Sequence, residues 1–126
     1  MKSREANLQS ACVKYFRYQY PKLAGVFFHV PNGGSRNAIE AKNLKIQGVV
    51  PGVADLILLK PSGQYSSLCI EMKAGTGRQS ESQKQFQQAA EKAGNKYVIV
   101  RTFEEFVDNI HRYLNNCSEY ITGDGC

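Results

Sequence analysis

Two apolar runs in the middle of the sequence carry acidic residues at positions where buried strands do not normally hold charge. Asp55 directly precedes the run 56–59, and Glu71 interrupts the run 68–72. The turn signal Pro61-Ser62-Gly63 separates the runs, so we expect them to pair as a hairpin. In that hairpin, Asp55 at the start of one strand lies close to Glu71 near the end of the other.

Lys73 follows Glu71 by two residues, and side chains alternate along a strand, so both are expected on the same face. Two neighbouring carboxylates on a covered face repel, and leaving them unpaired costs on the order of several kcal/mol each. Mg²⁺ removes this cost, because it prefers one or two carboxylates together with waters and phosphate oxygens. Such an ion would polarise a phosphate and acidify a bound water, while Lys73 could stabilise the developing charge or orient the attacking water. The three residues therefore indicate chemistry on a phosphate ester.

The composition narrows the class of protein. The chain has 126 residues and a formal net charge of +5, which fits one small domain with a polyanionic partner. It contains neither an apolar run near the roughly 18 residues of a membrane span nor a signal-peptide core, so we expect a cytoplasmic protein, or a nuclear one if the source is eukaryotic. Its four cysteines form no C-x-x-C pair, which argues against a zinc site or a disulfide framework. Cys12 and Cys69 are expected as reduced core thiols.

Ser3 is expected to cap a first helix that runs to about Tyr20. The predicted core stripe of this helix is Leu8, Ala11, Cys12, Tyr15 and Phe16. Glu5 lies at the end of the same stripe, so its carboxylate could reach the metal site. The equally weighted alternative is a first-turn acid that the helix dipole favours.

The segment after Pro21 is expected to contain a strand over 25–30, a loop over 31–34, and a short helix from Arg36 to about Ile46. His29 on the strand is interpreted first as a satisfied core histidine. Gly33 and Gly34 would allow the loop to approach a nucleic acid backbone, where Asn32 and Arg36 could donate to phosphate. Ser35 is the predicted cap of the helix, whose expected apolar positions are Ala38, Ile39, Ala41 and Leu44.

A glycine loop over 74–78 leads into a helix expected at about 79–93, with the apolar stripe Phe86, Ala89, Ala90 and Ala93. Extending this stripe backwards places Gln83 on the inner face, near the end of the strand that carries Lys73. The alternative is a first turn that faces water.

A buried strand over 97–100, a helix over 103–114 with Phe103, Phe106, Val107, Ile110 and Leu114 inward, and a fraying tail over 117–126 complete the chain. We therefore predict a single domain over 1–116. Its fold class is α/β, with a mixed four-stranded sheet between helices.

This order of elements resembles the restriction-endonuclease-like superfamily of PD-(D/E)xK nucleases, and within it the virus-type replication-repair nuclease (VRR-NUC) domain. The matching pieces are Glu5 with Gln9, H-V-P-N-G-G at 29–34, G-V-V-P-G-V-A-D-L at 48–56, I-E-M-K at 70–73 and Q-S-E-S-Q-K at 79–84. One departure is visible, because Ala54 stands where the superfamily has a proline before the aspartate. The metal-binding position itself is kept as Asp55.

The resemblance implies roles for particular residues. Asp55 and Glu71 would be metal ligands, with the backbone carbonyl of Met72 as a third contact, and Lys73 would be the catalytic lysine. Glu5 would be an additional acidic ligand, through water or at a second metal, and Gln83 would orient the site. The residues expected to contact DNA are His29, Asn32, Arg36, Arg78 and Lys84.

The main functional hypothesis is a Mg²⁺- or Mn²⁺-dependent endonuclease that hydrolyses DNA. Small members of the superfamily resemble Holliday-junction resolvases, so we expect a homodimer that prefers branched DNA. The first alternative is a catalytically inactive DNA-binding module of the same fold. The second is a structural domain in which Glu71 and Lys73 form an exposed cross-strand pair of little energetic value.

Overall fold

The computed structural model describes residues 3–31 and 37–116. In chain order its elements are α1 (Arg4–Gln19), a 3₁₀ helix (Pro21–Val26), β1 (Phe27–His29), α2 (Ala38–Ile46), β2 (Leu56–Leu58), β3 (Leu68–Met72), α3 (Glu81–Lys92), β4 (Lys96–Val100) and α4 (Phe103–Leu114). The predicted order of helices and strands is confirmed, and the 3₁₀ helix is the addition.

Four strands in this part of the chain form one mixed sheet in the order β1-β2-β3-β4. The pairs β1–β2 and β2–β3 are antiparallel, with Leu56 opposite Ile70 in the central hairpin. The pair β3–β4 is parallel, because α3 carries the chain back across the sheet between them. The predicted fold class, a mixed four-stranded sheet flanked by helices, is confirmed.

Helices cover both faces of the sheet, and the alternation of side chains along β3 separates two apolar clusters. Leu68, Ile70 and Met72 face α1 and α4, where they pack with Cys12, Phe16, Phe106 and Ile110. Cys69 faces α3 and packs with Ala54, Ala90 and Tyr97. Because the period of a strand is two residues, Glu71 lies on the same face as Cys69, directed towards α3.

Local capping explains where the helices begin. The Ser3 side chain accepts a hydrogen bond from the Ala6 amide, as predicted, and α1 ends at Gln19. Ser80 caps α3, so this helix begins at Glu81 and not at Gln79. The bounds of α4 agree with the prediction. In α1 the predicted core position Ala11 is exposed, and in α3 Ala89 and Ala93 are exposed, so these assignments were wrong.

The segment around β1 and α2 differs most from expectation. The chain forms a 3₁₀ helix after Pro21, and this shortens the predicted strand to three residues. Asn37, not Ser35, caps α2 by accepting from the Glu40 amide. No residue of α2 is buried and Ile39 is 75% exposed, while Ala41 and Leu44 are partly buried, so the predicted apolar stripe contributes no buried core residue. Ser35 itself lies outside the described residues.

Several remaining predictions can be compared with the structure. Cys12 and Cys69 are buried free thiols, as expected. The strand predicted as fully buried is β4 at the sheet edge, where Val98 and Ile99 are only partly buried. Tyr113 is buried on α4, although it was not predicted as a core residue. None of the described helices is long and apolar enough to cross a membrane. The predicted tail over 117–126 lies outside the described residues.

Candidate active site

The pairing of β2 with β3 brings Asp55 next to Glu71. Leu56 stands opposite Ile70, so one step further along the hairpin places Asp55 opposite Glu71. The backbone amide of Met72 donates to Asp55 Oδ2 over 2.8 Å. This hydrogen bond fixes one oxygen of the aspartate against the end of β3. The predicted proximity of the two carboxylates is therefore confirmed.

The backbone of Asp55 is held from the other side by β1. Its carbonyl oxygen accepts from the Val30 amide over 2.9 Å and lies 2.7 Å from His29 Nδ1. A carbonyl only accepts hydrogen bonds, so Nδ1 must carry a proton. His29 is exposed, and the interpretation as a core histidine was therefore wrong.

Glu71 is buried, with only 2% of its surface exposed. Its Oε2 accepts from Gln83 Nε2 over 2.9 Å and lies 3.7 Å from Lys73 Nζ. Its other oxygen, Oε1, is the one buried side-chain polar atom of the described residues that lacks a hydrogen-bond partner. A buried carboxylate oxygen without a partner is costly, so this atom is a candidate ligand position.

Burial raises the pKa of Glu71 to about 8, and the negative charge of Asp55 is the next contribution. Lys73 acts in the opposite direction, and the charge of Glu5 adds a small further rise. When both carboxylates are ionised, neither has a proton to donate, and Oε1 is left without a partner. Burial is the main reason that the protonated form is favoured, and a proton held between Glu71 and Asp55 would also satisfy that atom.

Lys73 continues the β3–β4 ladder, since its amide donates to the Val100 carbonyl over 3.0 Å. Its side chain is 12% exposed and lies beside the buried Glu71. The two residues are neighbours on one strand and are largely covered. The alternative of an exposed cross-strand pair is therefore wrong.

Gln83 reaches Glu71 because of how α3 begins. Its Oε1 accepts from the Ser80 amide over 2.8 Å, while its own amide donates to Ser80 Oγ. Gly52 lies in the loop before β2 and allows this loop to approach the first turn of α3, because a Cβ at Gly52 would lie 2.3 Å from the Ser82 carbonyl carbon. The predicted inner-face position of Gln83 is confirmed, and the alternative of a water-facing turn is wrong.

Glu5, Arg78 and Lys84 surround this cluster less closely. Glu5 is exposed on the first turn of α1, and its negative charge acts on Glu71, but the three carboxylates of the described residues do not form one cluster. Arg78 is exposed on the loop after Lys73. Lys84 is exposed on α3 and lies 4.0 Å from Glu81. Asn32 and Arg36, both predicted to contact DNA, lie outside the described residues.

The donor set fits a hard divalent cation better than zinc. No group of three or more His, Cys, Asp or Glu side chains in 3–31 and 37–116 is placed to hold a metal ion. Mg²⁺ commonly uses only one or two carboxylates and completes its shell with water and phosphate oxygens. Asp55 and Glu71, with the unpartnered Oε1, supply such a pair. The Met72 carbonyl remains the predicted third contact.

An α/β domain whose central hairpin brings an aspartate, a buried glutamate and a lysine together has the arrangement of a nuclease-type protein. The family model of the VRR-NUC domain matches residues 3–104, and the chain therefore belongs to this family of nuclease-type domains. A solved structure described as a VRR_NUC domain protein is similar, with a TM-score of 0.77 and 25% identity over 90% of each chain. No curated protein matches the sequence.

Arg101 contacts the loop after Lys73, and Gly52 lies against the first turn of α3, which carries Gln83. Neither residue is assigned a role by the sequence analysis. Arg101 follows β4 and donates to carbonyls of the loop after Lys73. It is 24 to 26 residues away from that loop, so no local spacing signals the contact. Gly52 belongs to a Pro-Gly pair, which signals a turn but not the close approach to α3.

Proposed function

We propose that this protein is a divalent-metal-dependent endonuclease that hydrolyses phosphodiester bonds in DNA. The single observation that carries the proposal is the buried Glu71 oxygen without a partner, next to Asp55. A structural domain gains nothing from this arrangement, because the buried carboxylate of Glu71 and the partly buried carboxylate of Asp55 repel, and Glu71 is incompletely hydrogen-bonded. A site that takes up a cation and a phosphate gives the same residues a function.

The residues divide the work of hydrolysis between them. Asp55 and Glu71 would hold Mg²⁺ or Mn²⁺, with the Met72 carbonyl as a further contact, and the ion would supply Lewis acidity at the phosphate. The Lys73 ammonium would stabilise the negative charge that builds up as water adds to phosphorus and the P–O bond breaks. Gln83 would keep Glu71 Oε2 occupied, so that Oε1 is the oxygen available for binding. Glu5 would act from further away, through water or at a second ion.

The charge of the chain supports a nucleic acid substrate. A net charge of +5 favours association with a polyanion, and the sequence contains no base-reading motif. His29, Arg78 and Lys84 are exposed on elements that border the site, where they would contact the DNA backbone. Asn32 and Arg36 are also proposed to contact the DNA backbone. Recognition would then depend on DNA shape and backbone geometry.

Branched DNA and a homodimer complete the proposal. A four-way junction offers two symmetric strands, and a dimer with twofold symmetry presents two sites to them. α2 contains no buried residue, and the hydrophobic side chains Ile39, Ile46, Val49 and Val50 are 75%, 74%, 52% and 54% exposed. Exposed apolar residues of this kind are common where a second chain packs. Sedimentation equilibrium of wild type and Ile46→Glu would measure the association directly.

The proposed location of the protein is the cytoplasm.

The test of the function is a cleavage assay on labelled four-way junction, flap, linear duplex and single-stranded DNA. Each substrate is incubated with Mg²⁺, Mn²⁺ or chelator, using wild type, Asp55→Asn and Lys73→Ala. We expect metal-dependent cuts, placed symmetrically on the junction, that Asp55→Asn abolishes and that Lys73→Ala slows by about a hundredfold or more to a measurable residual rate. Lys92→Ala is the matched control, because Lys92 is exposed at the far end of α3 and should leave cleavage unchanged.

Two outcomes would overturn the proposal. Salt-dependent binding of the DNA without cutting under any metal would identify the catalytically inactive DNA-binding module. Cleavage that persists in Lys73→Ala and Asp55→Asn would instead disprove the assignment of the site.

A further inference from the structure

We infer that Arg101 is a positioning residue for Lys73, which it controls by holding the loop over 74–78. The inference rests on the proposed function, since it concerns the same lysine. Arg101 stands directly after β4, and its Nη1 donates to the Gly75 carbonyl over 3.0 Å and to the Gly77 carbonyl over 2.8 Å. One guanidinium nitrogen thus joins two carbonyls of the loop.

The backbone of Arg101 is also held in place. Its backbone amide donates to Glu105 Oε1 over 2.7 Å, which ties the residue to the first turn of α4. The amide of Lys73 donates to the carbonyl of Val100, the residue before Arg101. The strand that carries the lysine and the residue that holds its loop are therefore adjacent and fixed to each other. Arginine suits this role because its planar, always charged head loses little freedom for each hydrogen bond it forms.

The other side of the loop touches the site. The Gly77 amide closes a turn on the Ala74 carbonyl over 3.2 Å. A Cβ at Gly77 would lie 3.7 Å from Lys73 Cδ and 4.0 Å from Glu5 Oε2. The loop backbone therefore runs beside the lysine stem, with the carboxylate of Glu5 nearby. Movement of Gly77 would release both groups.

Lys73 needs this support because a lysine side chain has four rotatable bonds and no fixed geometry of its own. Its ammonium lies 3.7 Å from Glu71, which is an ion-pair distance and not a short hydrogen bond. The packing of the aliphatic part of the Lys73 side chain therefore determines the position of its ammonium group. Without Arg101, two carbonyls would lose their donor, and a loop that contains two glycines would have little else to keep its shape.

The experiment compares Arg101→Gln and Arg101→Lys with wild type, and uses Arg112→Gln as the matched control. Arg112 lies on α4 and pairs with Asp108, away from the site. We expect Arg101→Gln to lower kcat on a cleavable DNA by about tenfold or more with little change in KM, since misplaced catalytic groups reduce turnover. Arg101→Lys keeps one charged donor and should restore part of the rate. Arg112→Gln should behave as wild type.

A double-mutant cycle separates positioning from a general loss of stability. If Arg101 acts through the lysine, Arg101→Gln should cost no more than about twofold in a Lys73→Ala background. Independent losses that multiply would overturn the inference. Hydrogen exchange supplies a readout that does not require activity. The amides of 74–78 should exchange faster in Arg101→Gln while those of β2 and β3 keep their protection, and unchanged exchange in the loop would also overturn the inference.

The exchange measurement also separates this inference from the proposed function. If wild type cleaves no DNA, the proposed function fails, whereas faster exchange confined to 74–78 still supports the hold of Arg101 on the loop. If wild type cleaves DNA and Arg101→Gln cleaves equally well, the proposed function stands and the inference about Arg101 fails.

Discussion

Gln83 donates from Nε2 to Glu71 Oε2 over 2.9 Å, while its Oε1 accepts from the Ser80 amide over 2.8 Å. One amide side chain thus connects the start of α3 to the buried glutamate of β3. Gln83 takes one glutamate oxygen, and the other has no hydrogen-bond partner in the described part of the chain. The capping of a helix and the orientation of a candidate metal ligand therefore depend on the same residue.

Replacing Gln83 by glutamate tests this connection. Gln83→Glu keeps an oxygen for the Ser80 amide but loses the donor and adds a negative charge beside Glu71. That charge should raise the pKa of Glu71 further, so Mg²⁺ should bind at least about tenfold more weakly near neutral pH. Isothermal titration calorimetry measures the affinity. Ser80→Ala is the control, because it removes about 1 kcal/mol of capping energy while keeping the Gln83–Glu71 contact. Equal affinities of wild type and Gln83→Glu would contradict the prediction.

The metal-free protein should become less stable as the pH rises from 5 to 8.5. Burial and the charge of Asp55 raise the pKa of Glu71 from 4.5 to about 8. Between these values the folded protein holds a proton that the unfolded chain has released. The stabilisation is therefore complete below the unfolded pKa and is lost as the pH rises through the folded pKa. Urea denaturation with chelator present should show a decrease on the order of a few kcal/mol in the free energy of unfolding.

Glu71→Gln provides the control for that pH dependence. Glutamine has nearly the same shape and cannot ionise, so the slope between pH 5 and 8.5 should largely disappear. If Glu71→Gln keeps the slope of wild type, another group is responsible, and the assignment to Glu71 is wrong.

Divalent cations should raise the melting temperature of wild type. A cation that binds only the folded state stabilises it by about 2.7 kcal/mol at a concentration one hundred times its dissociation constant. The effect should be larger at pH 8 than at pH 6, since binding requires ionised Glu71. Asp55→Asn and Glu71→Gln should abolish the shift, and Lys92→Ala should keep it. Differential scanning calorimetry with Mg²⁺, Mn²⁺ or chelator is the measurement, and an unchanged wild-type melting temperature would exclude the site.

Gly52→Ala should destabilise the protein and disturb the site. A Cβ at this position would lie 2.3 Å from the Ser82 carbonyl and 2.7 Å from the Gln83 amide, and the φ angle is +80°. We expect a loss of at least about 2 kcal/mol from backbone strain and the forced shift of α3. Chemical denaturation provides the value.

Two other glycines separate the contributions to that loss. Gly48 has a φ angle of +106° with nothing within 4 Å of a Cβ, so Gly48→Ala reports strain alone. Gly25 has open space and no φ in the strained range, so Gly25→Ala should be nearly neutral. If Gly52→Ala costs no more than Gly48→Ala, the close approach to α3 has no energetic importance.

The sequence by itself determined the order of helices and strands, the faces of β3 and the proximity of Asp55 to Glu71. These features follow from short-range rules. The period of two residues in 68–73 places the apolar side chains on one face of the strand and Glu71 on the other. In a hairpin the start of the first strand lies beside the end of the second, and this brings Asp55 next to Glu71. The cap of α1 is likewise local, because the Ser3 side chain bonds an amide three residues away.

Only the tertiary structure decided which surfaces are covered and which distant residues meet. The apolar positions of α2 are compatible with burial, but none of them is buried in the described part of the chain, and Ala41 and Leu44 are only partly buried. His29 would be a core residue under a helix and is exposed without one. Arg101 and Gly52 reach the site across the fold, through contacts that depend on how β4 and α3 pack. The physical reason is that periodicity specifies one face of an element, whereas its partner depends on the packing of the whole chain.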